Sequence, residues 1–374
     1  MVPPSGEGPA PAPGEEEPAD RPSKPRRRRL LRVTLITVLA LALLVGVGGT
    51  ALYLKLDGNI SGIDIESALG EDRPEDSDNG SLDLLVLGSD TRTGENGDFG
   101  GDDPDGEARS DTAMVVHINE AHDAATVVSI PRDTLVPRPD CERLDGGGVA
   151  PASDRAMFNE AYGIGGPVCA VKTVEALTGL RMDHYLELDF DGFAKLVDTL
   201  GGVRVTTRED IDDEDSRLRL TAGTHTLSGA ESLALVRTRK AVGDGSDLSR
   251  IQLQHSFLDA LMRQIDEVDL LGNPKRLYDL ADTATSAVTT DSDLASVSKL
   301  VDLARTLREV DSEELQLITL PVGYDPADPN RVAPLAEQSR QVWTALKRDR
   351  PVPESAIRDS AAEEGGGDQL ITQG

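Results

Sequence analysis

The chain has 374 residues, 67 Asp+Glu against 38 Lys+Arg, and a formal net charge of −29 at pH 7. That length allows a sizeable core, while the acidity argues against a nucleic-acid protein, because no domain-wide basic face is left to meet phosphates. Two cysteines and 3% aromatics also argue against a disulfide scaffold, a four-thiolate zinc site and a base-stacking platform.

Residues 1–29 pass from a Pro-, Gly- and Glu-rich stretch into a basic block, Arg26, Arg27, Arg28 and Arg29, with Arg32 following. Such a segment cannot bury enough apolar surface to fold, so 1–32 is expected to be a disordered tail. Residues 33–54 then give 22 positions without a charge. At about 1.5 Å rise per residue, a helix of that length spans a hydrocarbon core of roughly 30 Å. A signal peptide has a shorter apolar stretch and a small-residue cleavage site, and no clear site follows Tyr53. The expectation is one uncleaved transmembrane helix over 33–54, with the arginines keeping 1–32 in the cytoplasm. The remainder, with 31 Lys+Arg and 62 Asp+Glu, then lies outside the cell membrane. Export permits a disulfide, and Cys141 and Cys169, both outside, are expected to pair.

Residues 55–80 are acidic and Gly-rich and read as a juxtamembrane linker. The run 82–87, apolar but for Asp83, stops at Gly88-Ser89-Asp90, a buried strand and a sharp turn. Residues 93–108 are a Gly- and Asp-rich loop, strands are expected at 112–118 and 126–130, and 135–156 reads as a long loop. A helix is expected over 168–178 with Gly179 as its stop. A strand at 184–188, a helix at 190–200 and a strand at 203–207 follow. Helices at 228–238 and 250–268, mainly helical sequence over 272–310, and a strand at 315–320 complete the domain. Strands alternating with helices imply an α/β domain with helices covering a sheet. The domain is expected over 81–347, with a polar, disordered tail over 348–374.

Several signatures are missing. The stretch Gly166-Pro-Val-Cys-Ala-Val-Lys172-Thr173 lacks the second glycine of a phosphate loop, and neither a Gly-x-Ser-x-Gly elbow nor His-Glu-x-x-His occurs. What remains is Arg associated with Asp at strand ends: Asp90-Thr-Arg92, Arg109-Ser-Asp111-Thr112, Ser129-Ile-Pro-Arg132-Asp133-Thr134, and Arg237-Thr-Arg239-Lys240 followed by Asp247, Arg250 and Gln254. Strand ends of an open α/β sheet are where ligands bind. Arginine presents a fixed fork of donors to phosphate oxygens. Carboxylates among the arginines suit a hard divalent cation. Together these are the parts of a diphosphate site, against the alternative of structural ion pairs.

On these segments, together with Leu84-Leu-Val-Leu-Gly88, Asn159-Glu-Ala-Tyr-Gly-Ile-Gly-Gly166-Pro167, Leu227-Ser-Gly229 and Asp247-Leu-Ser-Arg-Ile-Gln-Leu-Gln254, the chain resembles the LytR-CpsA-Psr family of bacterial cell-wall proteins. The resemblance covers about residues 81–265. One departure is Met157, where the family often has Lys. The resemblance implies a central mixed β-sheet covered by helices. It also implies a phosphotransferase that moves a glycopolymer from a polyprenyl diphosphate carrier onto a peptidoglycan acceptor through a phosphodiester bond. By matching position it implies Asp90 and Asp111 as carboxylates for Mg²⁺ (or Mn²⁺), and Arg109, Arg132, Arg237, Arg239, Arg250 and Gln254 as diphosphate ligands. Arg132 would neutralise charge on the transferred phosphoryl group, and Asp247, beside Arg250, is the candidate base for the acceptor hydroxyl. Phe190, Phe193, Leu196 and Val197 could line a groove for the lipid, or they are core residues.

Two further readings use the same residues: a pyrophosphatase, with water in place of the sugar hydroxyl, and a non-catalytic envelope regulator that binds lipid-linked intermediates. The topology is open to direct test. Protease added to intact protoplasts is expected to digest the chain beyond about residue 60; protection of the C-terminal part, under conditions that degrade a known external protein, would reverse the orientation.

Overall fold

The first long strand begins where the sequence turns apolar after Ser81, in a computed structural model that describes residues 26–71, 73–77, 79–89, 110–238, 243, 245–268, 272–310, 314–364 and 371–372. The chain divides into two units, Met1–Leu52 and Tyr53–Gly374. Helix α1 (Arg26–Asp57) contains the 33–54 run, many of whose side chains lie outside the described residues. Among the described residues no helix is long and apolar enough to cross a membrane. The expected tail over 1–32 lies largely outside the described residues, as does the loop over 93–108.

The segment read as a linker is folded onto the domain. Strand β1 (Ser61–Ile63) and helix α2 (Ile65–Leu69) lie within it, and Ile65 and Leu69 are buried. Strands β2 (Leu82–Ser89), β3 (Ser110–Ile118) and β4 (Ala125–Ser129) form a meander. The expected loop over 135–156 carries four short strands, β5 (Leu135–Arg138), β6 (Cys141–Glu142), β7 (Val149–Ala150) and β8 (Ser153–Met157). Helix α3 (Phe158–Thr178) starts ten residues before the expected 168, and breaks its regular geometry at Gly165 and Gly166. Gly166 has φ +61°, which favours glycine. The break brings Cys169 to Cys141, and a disulfide joins them.

Strand β9 (His184–Asp189) and helix α4 (Phe190–Leu200) follow. A second, smaller assembly comprises β10 (Val203–Thr207), β11 (Ile211–Asp213), β12 (Leu218–Leu220), β13 (Gly223–Leu227), helix α5 (Gly229–Arg237) and helix α6 (Asp247–Glu267). The helical reading of 272–310 gives way to α7 (Pro274–Ala287), strand β14 (Val288–Asp291) and α8 (Val297–Glu309). Strands β15 (Leu315–Thr319), β16 (Val322–Asp325) and β17 (Asp328–Pro334) and helix α9 (Ala336–Lys347) lead to α10 (Ala361–Glu364) and β18 (Ile371–Thr372).

The seven-stranded sheet has the order β1-β14-β9-β2-β3-β4-β15. It is mixed: β2 pairs in parallel with β9, β4 with β15 and β1 with β14, while the remaining neighbours are antiparallel. Alternation sends Leu85, Leu87, Val115 and Val128 to one face, where Phe158 and Val174 of α3 and Val342 and Trp343 of α9 pack. Leu84 and Ile118 point the other way and meet Leu303 of α8. A separate cluster joins Val197 of α4, Val203, Leu235 of α5 and Phe257 of α6. Helices α4 and α5 approach closely at Gly229, where a Cβ would lie 2.0 Å from the Ala194 carbonyl oxygen.

The tail read as disordered from 348 packs against this body. Val352, Ala356, Ala361 and Ala362 are buried with the first core cluster, and β18 pairs with β10. Buried His117 lies 2.8 Å from Asp83 and 3.1 Å from Asp349, tying the start of that tail to the sheet. Burial alone would lower its pKa, but the two carboxylates together raise it. This contribution is complete below the ordinary value near 6.5 and is lost as pH rises through the raised value.

Arg73 fixes the other peripheral segment. Its guanidinium donates to Glu175 of α3 at 2.6 and 3.1 Å and to the Met182 carbonyl at 2.8 Å. Both side chains are nearly buried, at 6% and 5% exposure. Replacing Arg73 by Met should therefore destabilise the fold by about 3–5 kcal/mol, since Glu175 is left as an uncompensated buried charge. Urea unfolding measures this, and a loss below about 1 kcal/mol would mean that apolar packing alone holds the segment.

Candidate active site at the strand ends

Strand β4 ends at Ser129, and the chain turns at once. In the turn Thr134 donates its backbone N–H to the Pro131 carbonyl at 3.0 Å. The first residues of α3 close it from outside: Phe158 donates to the Thr134 carbonyl and Asn159 to the Arg132 carbonyl, at 2.9 and 3.1 Å. These are two of the N–H groups that a helix start leaves without intrahelical partners. The turn holds Arg132 with 22% of its side chain exposed.

Helix α6 meets this turn with its N-terminal end, capped by Ser246, which accepts from the Ser249 N–H. Asp247, in the first turn, accepts the Arg132 backbone N–H at 3.2 Å and lies 3.8 Å from the Arg132 Nε. The same carboxylate pairs with Arg250, whose side chain is 3% exposed. Positions 247, 250 and 254 share one face of the helix. Gln254 donates its amide to Thr112 of β3 at 3.2 Å and to the Val236 carbonyl at 3.1 Å. His255 Nε2 lies 2.8 Å from the Ser129 hydroxyl. One helix thus spans the ends of β3 and β4 and the end of α5.

Arg237 closes α5, a helix started by a capping box between Ser228 and Glu231. Its guanidinium lies over the Phe190 ring, 4.9 Å from the centroid. Beneath the strand ends the core is partly polar. Tyr162 donates to buried Glu187 at 2.6 Å, and Tyr185 donates to its other oxygen. Burial, then the Glu187 charge, pushes both phenols up, so they remain neutral donors.

The structure therefore brings Arg132, Asp247, Arg250 and Gln254 together, with Arg237 at the neighbouring helix end. Asp90, Arg109 and Arg239 lie outside the described residues, as does the side chain of Asp111. Among the described residues no group of three or more His, Cys, Asp or Glu is arranged to hold a metal ion. The strand register nevertheless sets Ser110 opposite Ser89 and Thr112 opposite Gly88.

The structure adds partners to three sequence readings. Asp247, read as a base, accepts the Arg132 N–H and pairs with the Arg250 guanidinium. Gln254, read as a ligand donor, spends both amide hydrogens on protein acceptors and braces β3 against α5. Of the groove residues, Val197 is buried in the second core cluster, Phe193 packs there against Phe257, and Leu196 is half-buried. Phe190 is buried beneath Arg237. His255 and the stacking role of Phe190 were missed, because neither leaves a periodic signal. Two clefts, of about 230 and 340 Å³, lie at the starts of β9 and β4, away from this cluster.

Comparison with known proteins gives a consistent set of likenesses. The LytR_cpsA_psr family matches residues 52–348. The cell wall biosynthesis protein LcpA of Corynebacterium glutamicum is 30% identical over 89% of this chain and 68% of its own length. The polyisoprenyl-teichoic acid–peptidoglycan teichoic acid transferase TagT of Bacillus subtilis is 31% identical over 83% of this chain and 91% of its own. A solved TagT structure with bound octaprenyl pyrophosphate superposes with a TM-score of 0.51 at 26% identity, covering 75% of this chain and 94% of that one.

His255 makes the site's stability sensitive to acid. Burial holds its imidazole down to about 4. A depressed histidine contributes fully above its ordinary value near 6.5, and that contribution is lost as pH falls toward 4. Relative to His255→Gln, the parent should lose about 3 kcal/mol of unfolding free energy between pH 7 and pH 4. Denaturant titrations at both pH values give the difference, and a constant offset would place the imidazole in water.

Proposed function

Since the chain belongs to the LytR_cpsA_psr family, we propose that it is a membrane-anchored phosphotransferase that moves a glycopolymer from a polyprenyl diphosphate onto peptidoglycan. The observation that carries this reading is the convergence of Arg132, Asp247 and Arg250 on the turn after β4, with Arg237 at the neighbouring helix end. Residues 33–54 are its single membrane span, with 1–32 cytoplasmic and the catalytic domain outside. Arg132 and Arg237 hold the diphosphate oxygens, with Arg109 and Arg239 as further ligands by matching position. Arg250, buried and paired with Asp247, adds its charge from behind.

In the reaction an acceptor sugar hydroxyl attacks the phosphorus that carries the glycan. A new P–O bond forms, the bond to the bridging oxygen breaks, polyprenyl phosphate leaves, and the hydroxyl proton is released. Negative charge develops on the transferred phosphoryl group, and arginines fixed in advance stabilise it without reorganising. Asp90 and Asp111 would hold Mg²⁺ (or Mn²⁺), which supplies charge neutralisation at the same oxygens. Asp247 keeps the two guanidinium groups aimed, a service that counts because geometric error at a phosphoryl centre costs rate.

Full-length protein in detergent, supplied with a lipid-linked oligosaccharide and a peptidoglycan acceptor with and without Mg²⁺, tests the reading. Glycan covalently joined to the acceptor is the expected product. Free phosphorylated glycan would identify a pyrophosphatase, and no reaction a binding protein. Arg132→Ala and Arg237→Ala should each lower transfer at least about tenfold, the equivalent of one charge-assisted contact, with little change in melting temperature. Asp90→Ala and Asp111→Ala should remove the Mg²⁺ dependence together with the activity. Folded variants that transfer at the parent rate would remove the site assignment.

A further inference from the structure

Helix α6 reaches the strand ends through Asp247, Gln254 and His255. The first two have been given their parts. His255 lies on no predicted motif, yet its Nε2 stands 2.8 Å from the hydroxyl of Ser129. Ser129 is the last residue of β4 and is 2% exposed. The chain from Ser129 runs through Ile130 and Pro131 straight into Arg132, so whatever fixes Ser129 fixes the root of the arginine turn.

The two attachments of α6 to this stretch are well separated. Asp247 and His255 are about 12 Å apart along the helix axis at 1.5 Å per residue. At the first, Asp247 accepts the Arg132 N–H. At the second, His255 meets Ser129. Core contacts of Phe257 and the Gln254 bonds seat the body of the helix, and these two attachments fix its angle against this stretch. That angle decides where Arg250 stands relative to Arg132, since Arg250 lies between the two attachments. We infer that His255 is a positioning residue which, through Ser129, sets the angle of α6 and so the spacing of the Arg132–Asp247–Arg250 cluster. This rests on the reading of that cluster as the diphosphate site.

The chemistry at the contact is that of two neutral groups. Burial keeps the imidazole uncharged at neutral pH. A neutral imidazole and a hydroxyl each offer both a donor and an acceptor, so one hydrogen bond forms with either as donor. A glutamine amide offers the same pair of functions at similar reach, while leucine fills the space with neither.

The test uses full-length protein in detergent and the variants H255Q, H255L and S129A, with octaprenyl diphosphate as the probe. Amide hydrogen exchange at Arg132, melting temperature, octaprenyl diphosphate affinity and transfer rate are measured on each. In H255L and S129A, exchange at Arg132 should accelerate at least about tenfold and affinity fall about tenfold, while exchange in α4 and β10 stays at the parent rate. H255Q should remain within about threefold of the parent in both. The inference is overturned if folded H255L keeps parent exchange and affinity, or if H255Q is as impaired as H255L, which would make the role one of shape. Should H255L fail to fold, S129A carries the same test, because it removes one oxygen atom and leaves the ring in place. A parent protein that neither binds the probe nor transfers would sink the transferase reading, and the exchange pattern at Arg132 would still decide the positioning role.

Discussion

Two guanidinium groups share one carboxylate at the end of β4, and the site is assembled around that sharing. Arg250 is almost wholly removed from water, and a buried cation without a counter-charge costs several kcal/mol. Asp247 supplies the charge, and it sits in the first turn of α6, where the helix dipole favours a carboxylate. By also accepting the Arg132 N–H, it converts a requirement of burial into a geometric tie between helix and turn. Seven residues further along the same face, Gln254 extends the tie to β3 and to the carbonyl that precedes Arg237. The arginines therefore come from a turn, a helix interior and a helix end, and a single helix relates all three.

Much of this was legible in the sequence, for reasons that can be named. The run 82–87 is apolar because β2 is covered on both faces, so it reads as a strand without any partner being known. Helix α4 was plain from its spacing, α5 was placed at 228–238, and α6 was placed at 250–268, three residues after its observed start at Asp247. Strand β14 was hidden because its four residues lie in a short stretch between two strongly periodic helices, and its pairing with β9 and β1 is a tertiary fact. Strand β1 was hidden because a three-residue edge strand needs no apolar pattern of its own. The segment after 348 was misread because its buried residues, Val352, Ala356, Ala361 and Ala362, follow neither the helical nor the strand period.

The same division holds at the site. Which residues gather could be read from Arg and Asp recurring at element boundaries. What each one does could not, because a role is fixed by partners. Gln254 reads as a ligand and Asp247 as a base, and the structure adds the protein partners that each one holds. Phe190 looks like a wall for a lipid until Arg237 is found over its ring. In each case the residue type was informative and the assignment waited on geometry.

The seating of β1 at the sheet edge has a mechanical consequence. Lys55 bonds Tyr278 and Asp282 of α7, and six residues later Ser61 begins pairing in parallel with β14. A pull along the chain from the N-terminal side is therefore resisted first by those side chains and then by strand hydrogen bonds loaded in shear, all of which must yield together. Peeling a strand end, by contrast, breaks one bond at a time. Residues from Lys55 to Ile63 are thus tied into the domain at two points, α7 and β14. Force entering at Ser61 would reach the sheet at the end where β9 and β2 finish, the same end from which the turn carrying Arg132 departs.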